Sequence, residues 1–136
     1  MTHQIQITVK CPLCHHSLMN DTVLIDQLPA IELEAKIGQK LGKIYLSQIY
    51  GSYYKKFEGV EDVVGTIAVF SCSNCHQPLP VIQNCDCRAP QVGMQLEVGG
   101  VIKICSRNGC KKHSLEFEDV NDAFILLMKG DQTGLG

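Results

Sequence analysis

Four close pairs of cysteines constrain this chain more than any other feature of its sequence. Eight cysteines occur in 136 residues, and they form the pairs Cys11/Cys14, Cys72/Cys75, Cys85/Cys87 and Cys105/Cys110. Two sulfurs so close in sequence make a poor disulfide, but a tight turn can point both at one metal ion. A tetrahedral zinc site with four cysteine ligands takes two such turns. The sequence therefore predicts two closed four-cysteine sites that hold two Zn²⁺ ions.

The same ligands also suit iron. Tetrahedral sulfur binds a single iron as well as zinc, and eight cysteines could hold two iron–sulfur clusters. The chain lacks the tight C-x2-C-x2-C run that is typical of ferredoxins, which disfavours the clusters. Iron or an iron–sulfur cluster is therefore the alternative cofactor.

The spacing leaves open which pairs share an ion. From Cys72 to Cys87 the pattern is C-x2-C-x9-C-x-C, and nine residues can form a short hairpin return. We therefore favour a nested arrangement with a local site and an outer site. The outer site is Cys11, Cys14, Cys105 and Cys110, and the local site is Cys72, Cys75, Cys85 and Cys87. The alternative is sequential, and its sites are Cys11, Cys14, Cys72 and Cys75, then Cys85, Cys87, Cys105 and Cys110.

Three segments resemble the zinc knuckles of the zinc-ribbon, rubredoxin-like fold group: Ile7–Cys14, Phe70–Cys75 and Ile102–Cys110. The resemblance covers these knuckles and their flanking strands, and it implies metal sites at the ends of β-hairpins. A glycine usually follows the second cysteine of a knuckle in that group. The residues found there in this chain are His15, His76, Arg88 and Lys111.

Alternating apolar and polar residues predict a mostly β fold. The predicted strands are Ile5–Val9, Thr22–Ile25, Ile31–Ile37, Lys43–Ile49, Thr66–Phe70, Met94–Val98, Val101–Ile104 and Ser114–Glu118. The Gly99-Gly100 pair predicts a hairpin turn between two of these strands. We expect one domain over residues 1–130 and a flexible tail at 131–136. Within that domain, a nested zinc ribbon of about residues 66–90 would lie between end hairpins at 4–19 and 94–118.

The segment before the tail is the only one that predicts a helix. Asp119 suits its N-cap, Lys129-Gly130 suits its end, and its body Ala123–Met128 is apolar on nearly every side. Such a helix must be buried on more than one side. We interpret it as a core element, with Phe124, Leu127 and Met128 as contacts to a partner in the alternative interpretation.

The charge balance disfavours a protein whose main partner is nucleic acid. Twelve basic and 14 acidic residues give a formal net charge of −2. One cationic cluster, which comprises Lys103, Arg107, Lys111 and Lys112, surrounds the last knuckle. We interpret these cations as neighbours that offset the negative charge of the four thiolates. A nucleic-acid-binding zinc ribbon, which would use this cluster and the aromatic segment Tyr53–Phe57, is an alternative.

No catalytic motif is evident, so we predict no catalytic residues and no enzyme activity. The start of the sequence has no cationic and apolar signal pattern, and the longest apolar run, Ala123–Met128, is far shorter than a membrane span. We therefore expect a cytoplasmic protein with no membrane partner. Its predicted role is to bind another protein as an accessory subunit of a larger complex. Electron transfer is the alternative function, and self-association into a homo-oligomer stays open.

Overall fold

Ten β-strands form the secondary structure of the residues described by the computed structural model, which are 5–110 and 113–116. In chain order they are β1 (Val9–Lys10), β2 (Met19–Ile25), β3 (Leu28–Ile37), β4 (Lys40–Leu46), β5 (Lys55–Glu58), β6 (Val69–Ser71), β7 (Val81–Asn84), β8 (Pro90–Leu96), β9 (Val101–Cys105) and β10 (His113–Glu116). These residues contain no α-helix, and none of them forms a helix able to cross a membrane.

The predicted fold class therefore needs a correction. The described part of the chain is built from β-strands alone, whereas the prediction combined a mostly β fold with a C-terminal helix. The predicted helix body Ala123–Met128 lies outside the described residues, and so does the predicted tail at 131–136. The mostly β character is confirmed over the described residues.

The strands form two antiparallel sheets of five strands each. In the first sheet the order is β2-β3-β4-β5, and β6 lies beside β2 along the same edge of β3. In the second sheet the order is β1-β8-β9-β10, and β7 lies beside β1 along the same edge of β8. Each sheet thus has one long strand whose edge is shared by two shorter strands.

The two sheets follow the same plan because the chain contains a structural repeat. The pair Lys10↔Gln95 of β1 and β8 recurs as Ser71↔Glu34 of β6 and β3, and the interval from Lys10 to Ser71 equals that from Glu34 to Gln95. We call this the long interval. Beyond the β3–β4 turn it is replaced by a short interval, that from Lys43 to Val101. The reason is that fewer residues separate the paired residues Gln95 and Val101 than separate their counterparts Glu34 and Lys43. We call residues 7–58 the N-terminal repeat and residues 68–116 the C-terminal repeat.

The repeats exchange their first strands. Strand β1 of the N-terminal repeat pairs with β8 of the C-terminal repeat, and β6 pairs with β3 in return. Equivalent backbone hydrogen bonds also form within each repeat, since Ile7 N–H donates to Gln48 O (2.7 Å) and Ala68 N–H donates to Ser106 O (3.0 Å). Such reciprocal contacts are those of a two-fold arrangement. The two halves are therefore tied together by two edge pairings.

One hydrophobic core takes side chains from both sheets. In β3, Ile31, Leu33 and Ala35 are buried and alternate with partly exposed glutamates, as the sequence pattern predicts. Met94 and Leu96 of β8 belong to the same buried cluster. Because the core joins the sheets, it fixes the ends of the strands from which the cysteines project.

The hairpins are confirmed in part. The Gly99-Gly100 turn does join β8 to β9, and both glycines have positive φ. The expected nested ribbon at 66–90 is absent, because β6 joins β3 in the first sheet while β7 joins β8 in the second. Its two predicted sides therefore lie in different sheets.

Candidate metal centres

The first group of cysteines stands where the exchanged strands end. Strand β1 leads into a turn at Cys11–Cys14, and β6 leads into a turn at Cys72–Cys75. Both turns close with the same bonds. His15 N–H donates to Cys11 O (2.9 Å) in one turn, and His76 N–H donates to Cys72 O (2.8 Å) in the other. The two turns are thus equivalent knuckles, one from each repeat.

The residue after each knuckle explains how the turn forms without glycine. His15 and His76 have φ values of 63° and 62°, and Arg88 has a φ of 75°. This is the left-handed region, where glycine is favoured and histidine is tolerated better than most residues. The position after the second cysteine therefore has a backbone conformation that favours glycine, although it is occupied by histidine or arginine.

The four sulfurs of this group converge on one point, which we call site A. The distance from Cys11 Sγ to Cys75 Sγ is 3.9 Å, and that from Cys14 Sγ to Cys72 Sγ is 3.7 Å. Sulfurs at zinc-bond distance around a tetrahedral ion lie about 3.8 Å apart. Cys11 and Cys72 are fully buried, and their sulfurs accept bonds from the N–H groups of Leu13 and Asn74, both at 3.3 Å. Site A is thus a closed, ion-sized set of thiols.

The second group, which we call site B, lies within the C-terminal repeat. Cys85 and Cys87 occupy the β7–β8 turn, Cys105 ends β9, and Cys110 follows the next turn. The distance from Cys85 Sγ to Cys110 Sγ is 3.7 Å, and that from Cys87 Sγ to Cys105 Sγ is 3.4 Å. In each group, all four sulfurs lie within 4.8 Å of one another. The structure thus contains two four-cysteine groups that could each hold a metal ion.

The nested pairing of the cysteines, which we favoured from the sequence, is wrong. Site A is Cys11, Cys14, Cys72 and Cys75, and site B is Cys85, Cys87, Cys105 and Cys110. This is the sequential alternative. The physical reason is the strand exchange, since β6 is drawn to β3 and carries its knuckle to that of β1. The hydrogen bonds between β6 and β3, and not the short loop from Cys75 to Cys85, thus decide which cysteines come together.

Each site combines thiols of unlike acidity. The side-chain amide of Asn74, at 3.5 Å, lowers the pKa of Cys14 to about 6, and the backbone N–H of Ala89 is the main cause of a pKa of about 6 at Cys87. Burial raises the pKa of Cys72 to about 12 and raises that of Cys105 as well. A buried thiol resists ionisation unless a cation is close. The donor set therefore fits a thiophilic metal ion.

The predicted cationic cluster is only partly described. Lys103 is 6% exposed, and its Nζ donates to Gln83 Oε1 (3.4 Å). The Arg107 guanidinium donates to Cys87 O (3.1 Å) and to Gly65 O (2.9 Å). Arg107 thus braces site B through a backbone carbonyl. Lys111 and Lys112 lie outside the described residues, as do Phe124, Leu127 and Met128.

The aromatic segment Tyr53–Phe57 lies beside site B. With Tyr50 it lines a cavity of about 600 Å³, whose wall also includes Cys105 and Cys110. Tyr54 is strongly exposed, whereas Phe57 packs against the core. The structure therefore brings the segment close to site B but gives its aromatic rings different surroundings.

Comparison with known proteins finds no matching family model, no similar curated protein and no similar solved structure. The class that the fold and sites define is therefore coarse: a mostly β chain with two four-cysteine groups suited to metal ions.

The repeat was not recognised from the sequence, although a signal for it is present. Both knuckles read C-x-x-C-H, and their first residues, Cys11 and Cys72, are separated by the long interval. The same interval relates Leu18 to Leu79 and Pro29 to Pro90, and it relates the two glycines that begin the following turns. A search for equal spacing would have shown that the two knuckles are equivalent.

Paired substitutions test the grouping of the ligands. We expect Cys11→Ser/Cys75→Ser to lose one metal ion per chain, because both residues belong to site A. We expect Cys75→Ser/Cys85→Ser to lose both ions, because it damages both sites. Nested pairing predicts the opposite losses for these two variants. Metal content of the purified variants by elemental analysis decides between the two.

Substitution at the end of the first knuckle tests its backbone. His15→Gly should stabilise the protein by about 1 kcal/mol, because glycine adopts positive φ without strain. His15→Val should destabilise it by about 1–2 kcal/mol, because a β-branched residue is sterically strained at positive φ. The measurement is the free energy of unfolding in urea, determined for the wild type and both variants at equal metal content. Equal stability of both variants would contradict the assigned backbone strain.

Proposed function

We propose that sites A and B hold structural zinc and that the protein is a non-catalytic binding module, an accessory subunit that docks on another protein in the cytoplasm. The observation that carries the metal part is the closure of both sites by four sulfurs. A catalytic zinc keeps one position for water or substrate, whereas four thiolates fill the tetrahedral shell. The thiols also need a reducing compartment to stay available to a metal.

Zinc suits both the ligands and the size of the chain. Thiolates bind it tightly in tetrahedral sites, and structural zinc stabilises small modules by on the order of 10 kcal/mol. Iron fits the same four sulfurs and would make the protein an electron carrier. The N–H bonds to Cys11, Cys72 and Cys105 sulfurs are compatible with either metal, so the metal itself must be identified.

An exposed sheet edge supports the binding role. All four residues of β7 are exposed, including Val81 at 61% and Ile82 at 45%. Among the described strands, β7 pairs only with β8, so its other edge presents backbone groups. Edges of this kind can pair with a strand from another protein. We therefore propose β7 as the docking edge and an extended, partly apolar segment of the partner as its occupant.

Metal analysis tests the first part of this proposal. We expect two zinc ions per chain and a colourless protein. Removal of zinc by a strong chelator should unfold the described sheets, because the knuckles hold strands of both repeats, and the loss is followed by circular dichroism and the melting temperature. Readdition of Zn²⁺ should restore both signals.

Two outcomes would contradict the zinc assignment. Iron with absorption in the visible range would favour electron transfer, and the reduction potential would then be the next measurement. An unchanged melting temperature after complete metal removal would show that the sites do not support the fold.

Charged substitutions on β7 test the docking edge. We expect Val81→Lys/Ile82→Lys to lower retention of a partner from a cytoplasmic extract at least tenfold, because lysine disfavours pairing at a strand edge. Leu41→Lys is the control, since Leu41 is about as exposed (63%) as Val81 but lies on β4. Equal retention by both variants, at equal metal content, would exclude β7 as the docking surface.

A further inference from the structure

The repeat assigns a counterpart to every ligand of site B. The counterparts of Cys85 and Cys87 lie one long interval earlier in the sequence. Those of Cys105 and Cys110 lie one short interval earlier, because this pair lies beyond the β8–β9 turn. The four counterparts in the N-terminal repeat are Leu24, Asp26, Ser47 and Ser52. These residues are far apart in the sequence, so any contact among them has to come from the fold.

Three of the four counterparts meet at one atom. Ser47 Oγ donates to Asp26 Oδ2 at 2.6 Å, and Ser52 Oγ donates to the same oxygen at 2.5 Å. In site B, the sulfurs of Cys105 and Cys110 likewise converge with those of the neighbouring turn. In the N-terminal repeat, a single oxygen, Asp26 Oδ2, thus accepts hydrogen bonds from both serine hydroxyls.

The turn that carries the two serines is a knuckle in its backbone. Ser52 N–H donates to Ile49 O at 3.0 Å, as Cys110 N–H donates to Arg107 O at 3.1 Å. Ile49 N–H donates to Ser47 Oγ at 3.0 Å, which is the counterpart of the Arg107 N–H bond to Cys105 Sγ at 3.4 Å. The bond to the ligand atom has therefore been kept, with oxygen in place of sulfur.

Backbone conformation agrees at the remaining special positions. Gly51 has a φ of 96° where Gly109 has 91°, and Gln27 has 68° where Arg88 has 75°. The two hairpin turns differ in two respects. Asp26 also has positive φ while its counterpart Cys87 does not, and Pro29 pairs with Leu24, whereas its counterpart Pro90 pairs with Asn84, one residue further from the turn. The N-terminal hairpin is thus a tighter turn, which brings the short aspartate side chain to the serines.

We infer that the N-terminal repeat contains a metal-free counterpart of site B, in which the Asp26 carboxylate replaces the ion, and that it accepts a third metal when cysteine ligands are restored. This rests on the proposed function only in taking site B as a metal site. Serine hydroxyls do not ionise as thiols do, so the present residues lack a thiolate set. Two charge-assisted hydrogen bonds close the turn in its place.

A graft of the site B ligands tests the latent site. Residues 24–28 are replaced by the turn sequence of Cys85–Ala89, and the two serines become cysteines. The substitutions are Leu24→Cys, Ile25→Asp, Asp26→Cys, Gln27→Arg, Leu28→Ala, Ser47→Cys and Ser52→Cys. We expect three metal ions per chain instead of two, and thiolate-to-cobalt absorption about 1.5-fold that of the wild type after Co²⁺ loading. The same graft with both serines retained should stay at two.

The reverse graft keeps the inference testable if the first variant fails to fold. It places residues 24–28 at positions 85–89 and combines them with Cys105→Ser and Cys110→Ser. We expect a folded protein with one metal ion fewer and with a higher melting temperature than the variant in which all four site B cysteines are serine. The aspartate-centred hydrogen bonds, absent from that control, are the reason.

The outcomes separate this inference from the proposed function. A folded graft that still holds two ions, or a reverse graft that is no more stable than the four-serine control, would overturn the inference. A wild-type protein without metal would overturn the proposed function instead. The comparison of melting temperatures would still decide whether the Asp26 cluster closes a knuckle by itself.

Discussion

Four buried or half-buried sulfurs at site A are the constraint on which the rest of the structure depends. Two come from the knuckle after β1 and two from the knuckle after β6, and each of these strands belongs to one repeat but pairs in the sheet of the other. Four thiolates at such distances repel one another, while burial opposes ionisation of Cys72. A divalent cation at their centre, as proposed for this site, would offset both effects and would hold the two exchanged strands together at one point.

Site B has a different structural task, because all its ligands belong to one repeat. It joins the β7–β8 turn to the turn after β9, and the guanidinium of Arg107 adds a bond from the second turn to the first. The N-terminal repeat joins the corresponding turns through Asp26, Ser47 and Ser52. The corresponding turns are thus brought together by thiols in one repeat and by hydrogen bonds in the other.

Much of the local structure could be predicted from the sequence. The alternation of β3 and the Gly99-Gly100 turn are local signals, and both are found in the structure. The spacing of the cysteines predicts close pairs of metal ligands, but it does not predict which pairs come together in one site. That grouping depends on β1 and β6, which are two and three residues long, too short to carry a periodic pattern. Their partners β8 and β3 lie far away in sequence, so only the assembled sheets reveal which knuckles meet.

The cluster around Asp26 was hidden for a related reason. An aspartate in a turn and two serines in a loop are ordinary residues at such places, and each has a local explanation by itself. Their correspondence to the cysteines of site B appears only when positions are compared between repeats, and the change from the long to the short interval interrupts that comparison at the β3–β4 turn. Register in the sheets restores it, since Lys43↔Glu58 and Val101↔Glu116 are equivalent pairs. Sheet pairing therefore identifies counterparts that residue identity alone does not.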